Sequence, residues 1–171
     1  MTGVTFVFAT GSSWLDSLVT TVTKSRWSHV ALRFESENLL VEALVGRGFL
    51  LQPGGKYDGW PVSESIRQSI PEKVQAQMLE CCSRWAQTQV PYGYRTCVAI
   101  GMKEIFGRRA GQLAMEWLPA GETETLVCSE MLVKLWRMAV PDFLPGLEPQ
   151  LVNPNELYQA LRRFNNGPDQ N

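Results

Sequence analysis

The sequence predicts an α+β protein built as one domain, residues 1–171. Two observations lead to this prediction. Short apolar or alternating segments typical of β-strands recur between residues 4 and 70, and segments with apolar residues at helical spacing follow from residue 71 onward. The chain is long enough for one buried core, and its composition of 44% hydrophobic and 19% charged residues is that of an ordinary globular domain.

Five segments have the pattern of strands. The first is the apolar run VTFVFA, which Thr10 and Gly11 end. The second alternates with period two, and the polar turn 35–38 separates it from the third, LLVEALV. The predicted strands are residues 4–9, 28–34, 39–45, 49–52 and 62–70, with a loop at 53–61.

Five segments have the pattern of helices. Ser12 or Ser13 is a suitable N-cap for the first, and Pro71 suits the first turn of the second. Residues 153–156, Asn-Pro-Asn-Glu, resemble a capping box that opens the last helix. The predicted helices are residues 14–22, 71–89, 96–106, a segment from about 126 to 139, and 154–164. Residues 107–124 are predicted to be a long surface loop.

Charge and hydropathy exclude several classes of partner. The net charge is −1, so neither a nucleic acid nor an anionic membrane is an expected partner. No basic segment precedes the first apolar run, Asp16 interrupts the N-terminal stretch 1–18, and no later run approaches ~18 apolar residues. The sequence therefore predicts neither a signal peptide nor a transmembrane segment, and a cytoplasmic location.

The four cysteines do not have the spacing of a metal site or a disulfide framework. In a reducing compartment thiols stay free, no CxxC pair is present, and the chain has one histidine. We therefore expect no structural metal and no cofactor. Cys81 and Cys82 are interpreted as small core residues of the helix 71–89.

His29, the single histidine, opens the second predicted strand. A buried histidine is most often a hydrogen-bonded core residue. If the loop between strands two and three has an even length, His29 and Glu42 lie on the same face, directly opposed or one diagonal step apart. A buried glutamate needs a hydrogen-bond donor, and His29 and Arg33 are equally suitable.

Cys128 lies near the predicted start of a helix. Unpaired N–H groups and the positive end of the helix dipole stabilise a thiolate there, and a nearby histidine would lower its pKa further. The same N–H groups could donate to an oxyanion. Cys128 also falls on the apolar stripe of its own helix, so the pattern alone favours an inert core cysteine over a catalytic one.

The order of several short motifs resembles a known family. Ser28-His29-Val30, Val41-Glu42-Ala43, Pro91-Tyr92-Gly93 and Val127-Cys128-Ser129-Glu130 follow one another as in the circularly permuted branch of the NlpC-type papain-like cysteine hydrolases. YiiX-like proteins and relatives of lecithin:retinol acyltransferase belong to this grouping. The resemblance runs from about residue 4 to residue 160, and the residues 8–13 and 153–157 are similar to YiiX-type features.

The resemblance implies a papain-like fold, in which a small antiparallel sheet packs against several helices. It implies that Cys128 is the nucleophile, His29 the general base and Glu42 the residue that orients His29. Backbone N–H groups around Cys128 and Ser129 would hold the oxyanion, and Tyr92 would line the site or pack against the sheet. The reaction would be acyl transfer from an amide, ester or thioester.

The substrate implied is a peptide, a cell-wall fragment or a lipid, although cell-wall hydrolases of this superfamily are often exported and this chain has no predicted export signal. A different hypothesis is a non-catalytic binding or assembly module on the same fold, for instance in a phage-encoded particle. Accessibility of the Cys128 thiol distinguishes the two hypotheses. The sequence leaves the oligomeric state open.

Overall fold

A computed structural model describes residues 1–60, 63–119 and 124–166 of the chain. Within these ranges the protein is α+β, with five strands and six α-helices. The strands are β1 Thr2–Ala9, β2 His29–Phe34, β3 Leu39–Leu44, β4 Gly48–Pro53 and β5 Ser63–Ile70. The helices are α1 Trp14–Val22, α2 Glu72–Gln87, α3 Tyr94–Phe106, α4 Arg108–Trp117, α5 Cys128–Ala139 and α6 Pro154–Asn166, with a short 3₁₀ helix at Pro149–Leu151.

The strands form one antiparallel sheet in the order β4-β3-β2-β1-β5. All five strands predicted from the sequence are present, within two residues of the expected bounds. Val62, the first residue of the fifth predicted strand, lies outside the described residues. The central strand β2 is covered on both edges by antiparallel neighbours, so its side chains are fixed by pairing as well as by packing.

One face of the sheet carries most of the core. Alternate residues of β1 and β2, among them Phe6, Phe8 and Leu32, are fully buried against α2, α5 and α6. Cys81 and Cys82 belong to this core, as predicted for small residues of α2. The opposite face holds a smaller buried cluster, Val7, Ala9, Ala31, Leu40 and Tyr57, in which Tyr57 comes from the loop between β4 and β5.

Two predicted helix starts have the expected caps. The Ser13 hydroxyl accepts a hydrogen bond from the Asp16 N–H at 3.2 Å, and the Asp16 carboxylate accepts one from the Ser13 N–H at 3.1 Å. Asn153 and Glu156 make the same reciprocal pair at the start of α6, at 2.8 and 2.9 Å. These boxes satisfy N–H groups that the first helical turn leaves unpaired.

The prediction of a surface loop over residues 107–124 is wrong. Arg108–Trp117 forms α4, and residues 120–123 lie outside the described residues. Gly107 has φ +91° and lies between α3 and α4. The glycine that ends α3 is therefore also the N-cap of α4. Gly111 would weaken an isolated helix, but here its missing side chain lets α4 approach α3 closely. Tertiary packing therefore outweighs the local signals.

Among the described residues, no helix combines the length and apolar character that crossing a bilayer requires.

The close approach at Gly111 gives a stability prediction. A Cβ at this position would lie 2.8 Å from the Lys103 Cβ and 2.9 Å from the Ala99 carbonyl oxygen. We expect Gly111→Ala to lower the free energy of unfolding by about 1–2 kcal/mol, because overpacking outweighs the gain in helix propensity. Urea unfolding measures the change. Gly146→Ala is the matched control, since a Cβ there meets no atom within 4 Å. A Gly111→Ala protein as stable as the parent would contradict the packing account.

Candidate active site

Cys128 is the first residue of α5, with Val127 as its N-cap. The Glu130 carboxylate accepts a hydrogen bond from the Val127 N–H at 3.4 Å. This bond stabilises the first turn of α5. The sulfur thus lies at the positive end of the helix dipole, where a thiolate is stabilised. Cys128 is 6% exposed and packs in the main core, yet it also lines an open groove on the protein surface.

His29 and Glu42 lie on the same face of neighbouring strands. The register between β2 and β3 pairs Leu32 with Val41, so Glu42 is one diagonal step from His29, one of the two arrangements expected from an even-length turn. The His29 Nε2 and a Glu42 carboxylate oxygen are 3.1 Å apart. The Glu42 side chain is fully buried. Since Nε2 is engaged by Glu42, Nδ1 is the ring nitrogen left for another partner.

That other partner is Cys128, which lies close enough to His29 for each side chain to shift the pKa of the other. The β2–β3 ladder extends only from the Phe34–Leu39 pair to the Leu32–Val41 pair, so the two strands are unpaired at the end where His29 lies. α5 packs against both strands. The backbone N–H groups of Val30 and Ser129 lie near the Cys128 sulfur and lower its pKa. The start of α5 therefore lies beside β2 where the β2–β3 ladder has ended.

The three side chains shift one another's pKa values. Burial lowers the pKa of His29, but the interactions with Cys128 and Glu42 and their negative charges outweigh it and raise this pKa from 6.5 to about 9. Burial raises the pKa of Cys128, but the interaction with His29 and its positive charge bring it below the ordinary value of 9. Both shifts favour a thiolate–imidazolium pair over a neutral thiol and imidazole.

Glu42 remains ionised because three groups donate to it. Burial raises its pKa, but hydrogen bonds from His29, Lys56 and Tyr57 lower it from 4.5 to about 2. The Tyr57 hydroxyl donates to one carboxylate oxygen at 2.6 Å, and the Lys56 ammonium forms an ion pair with the other. Arg33, the alternative partner considered for Glu42, instead donates to Asp58 at 2.5 Å.

Lys56 and Tyr57 were missed in the sequence, where residues 53–61 have only the pattern of a loop. Tyr57 is buried, and its ring lies 5.9 Å from the His29 ring and 4.7 Å from the Trp60 ring, centroid to centroid. The available signal was indirect: a buried glutamate needs more than one donor. The spacing of residues does not indicate which donors reach it.

Ser28, next to His29, is tied to α1. The Ser28 hydroxyl donates to the Asp16 carboxylate at 2.6 Å. Burial raises the pKa of Asp16, but hydrogen bonds from Ser13 and Ser28 outweigh it and lower this pKa. The capping box of α1 therefore also fixes the residue that precedes the histidine.

Ser129 and Tyr92 both lie beside Cys128 and line the same groove. The Ser129 hydroxyl donates to the Val152 carbonyl at 2.6 Å, so only its backbone N–H faces the sulfur. Tyr92 pairs with Leu126 in an isolated parallel bridge, and its hydroxyl accepts a hydrogen bond from the Cys97 thiol at 3.3 Å. Burial raises the pKa of Cys97 to about 11, so this second thiol stays protonated at neutral pH.

Within residues 1–60, 63–119 and 124–166, the histidine, cysteine and acidic side chains form no group of three or more with the arrangement of a metal site. All four cysteines are free thiols.

Comparisons of the chain with protein-family models, curated proteins and solved structures return no match.

The hydrogen bond from Tyr57 to Glu42 gives a prediction with a defined pH dependence. Tyr57→Phe leaves a buried carboxylate oxygen short of a donor, so we expect the free energy of unfolding to fall by about 1–3 kcal/mol at pH 7. The stability that ionised Glu42 contributes is present above pH 4.5 and is lost as the pH falls through about 2. The difference between variant and parent should therefore shrink over this range.

Urea unfolding between pH 2 and 7 checks this expectation. Tyr94→Phe is the matched control, because the Tyr94 side chain is 58% exposed. Equal stability of parent and Tyr57→Phe at pH 7 would show that the Tyr57 hydroxyl is not needed to hold the carboxylate.

Proposed function

We propose that the protein is a papain-like cysteine hydrolase or acyltransferase of the circularly permuted NlpC type. It cleaves an amide, ester or thioester bond through an acyl-enzyme on Cys128. The observation that supports this most is the series Cys128, His29 and Glu42: the sulfur lies at a helix N-terminus beside His29, and His29 is hydrogen-bonded to Glu42. A nucleophile, a base and a residue orienting that base are the parts that such catalysis requires.

The reaction begins from the thiolate–imidazolium pair. The Cys128 sulfur attacks the carbonyl carbon, and a carbon–sulfur bond forms while the carbonyl electrons move to oxygen. As the tetrahedral intermediate collapses, the bond to the leaving alcohol, amine or thiol breaks, and His29 supplies the proton that this group takes. His29 then removes a proton from water or from an acceptor, which attacks the thioester. The sulfur leaves as thiolate, and the starting state is restored.

The oxyanion of the intermediate would be held by backbone N–H groups in the first turn of α5, at Cys128 and Ser129. These groups lack intrahelical partners and lie at the positive end of the helix. Glu42 would keep His29 in one orientation and stabilise its positive charge. Lys56 and Tyr57 are positioning residues that act through Glu42.

A binding or assembly module is the second candidate function. The observation in its favour is that Cys128 packs in the main core with only 6% exposure. In that case Cys128 and His29 would serve packing alone, and the thiol would not react in the folded protein.

Acylation of the folded protein tests the proposal. After mixing with p-nitrophenyl acetate at pH 7, we expect a burst of p-nitrophenol and an acetyl adduct on Cys128, located by mass spectrometry. Cys128→Ala should abolish both, and His29→Ala should slow acylation by at least about 100-fold, since the base is lost. Cys97→Ala is the matched control, because this thiol lines the same groove but has a raised pKa.

The proposal fails if no adduct forms and iodoacetamide reaches Cys128 only after the protein is unfolded. That result would favour the binding module.

A further inference from the structure

The groove beside Cys128 is built from α1, α3 and the start of α5. Its volume is about 420 Å³, within the range of small-molecule sites. On one side lie Leu18, Val19 and Val22 of α1. Across from them α3 contributes an apolar series, Val98, Ile100, Gly101, Met102 and Ile105.

Among the described residues, the lining of this groove contains no Asp, Glu, Lys, Arg or His side chain. Its apolar side chains are nevertheless open to solvent: Leu18, Val98 and Ile105 are each at least half exposed. Exposed apolar side chains that are contiguous, rather than scattered, mark a binding surface. The groove therefore fits an apolar ligand.

The groove is continuous with the nucleophile, because Val127, Cys128 and Ser129 form part of its wall. His29 and Glu42 do not line it. A leaving group must lie near His29 to receive its proton, so the groove is on the other side of the scissile bond. The part of a substrate that enters the groove is therefore the acyl group that becomes attached to Cys128.

A peptide is a poor occupant for this groove. Each peptide unit buried there would need partners for its N–H and C=O groups, at a cost of several kcal/mol when they are missing. The Ser129 hydroxyl is already bonded to Val152, and the Ser28 hydroxyl to Asp16. An aliphatic chain makes no such demand and gains from every methylene that it buries.

We propose that this groove binds the aliphatic acyl chain of the substrate, so that the protein prefers medium- or long-chain acyl esters, amides or thioesters over acetyl or peptidyl ones. This inference rests on the proposed cysteine chemistry for its catalytic part. The assignment of the groove as a site for an aliphatic chain rests only on the residues that line it.

Gly101 is the position at which the proposal can be tested by filling space. It lies in α3 with no positive φ, and a Cβ there would meet only the Val22 Cγ1, at 3.9 Å. Replacement by leucine would place a branched side chain in the groove while improving helix propensity, so the fold should persist. Gly101→Ala adds one methyl group and is the matched small variant. Gly146→Leu is the remote control, because a Cβ there meets nothing within 4 Å.

The first measurement compares kcat/KM for p-nitrophenyl octanoate and p-nitrophenyl acetate. Each buried methylene is worth roughly fourfold, so we expect the octanoyl ester to be preferred by about 100-fold or more. Gly101→Leu should reduce this preference at least about tenfold, Gly101→Ala by less than about threefold, and Gly146→Leu should leave it as it is.

The second measurement is calorimetric binding of octanoate to Cys128→Ala, alone and combined with Gly101→Leu. Binding that Gly101→Leu abolishes supports the groove even if no ester is turned over, in which case only the cysteine chemistry is wrong. Cys128-dependent turnover of acetate without preference for octanoate, or no octanoate binding to Cys128→Ala, overturns the groove proposal and leaves the cysteine chemistry standing.

Discussion

The buried carboxylate of Glu42 is the constraint on which the site depends. A carboxylate with no exposure to water is costly unless several donors satisfy it. Three donors do so here: the His29 imidazolium, the Tyr57 hydroxyl and the Lys56 ammonium. They come from β2 and from the loop that follows β4. The hydrogen bonds that stabilise the charge of Glu42 therefore also fix the ring orientation of His29 and the path of that loop.

The second constraint is the end of the β2–β3 ladder. Pairing between β2 and β3 stops at Leu32, although β2 stays paired with β1 as far as His29. α5 packs against both strands, and its first residue, Cys128, lies beside a histidine whose carboxylate partner is on the next strand. The end of the β2–β3 ladder therefore sets the geometry of the site.

Local sequence patterns predict much of this arrangement. Alternation and a four-residue turn predict that His29 and Glu42 share a face, and reciprocal capping predicts the start of α6 at Asn153-Pro154. The helix α4 was missed because Gly107 and Gly111 are locally unfavourable to a helix. Gly107 takes the positive φ that separates α3 from α4, and Gly111 allows the close contact of α4 with α3. Lys56 and Tyr57 were missed because the path of an irregular loop is set by tertiary contacts. The groove depends on how α1 faces α3, which no single segment encodes.

The single histidine makes the charge state of the site directly measurable. In untagged protein with ¹³C-labelled histidine, one NMR signal reports the titration of His29. The account predicts a pKa of about 9, and a lower pKa in Cys128→Ala, where the thiolate no longer stabilises the imidazolium. A pKa at or below the ordinary value of 6.5 in the parent protein, unchanged in Cys128→Ala, would contradict the thiolate–imidazolium pair.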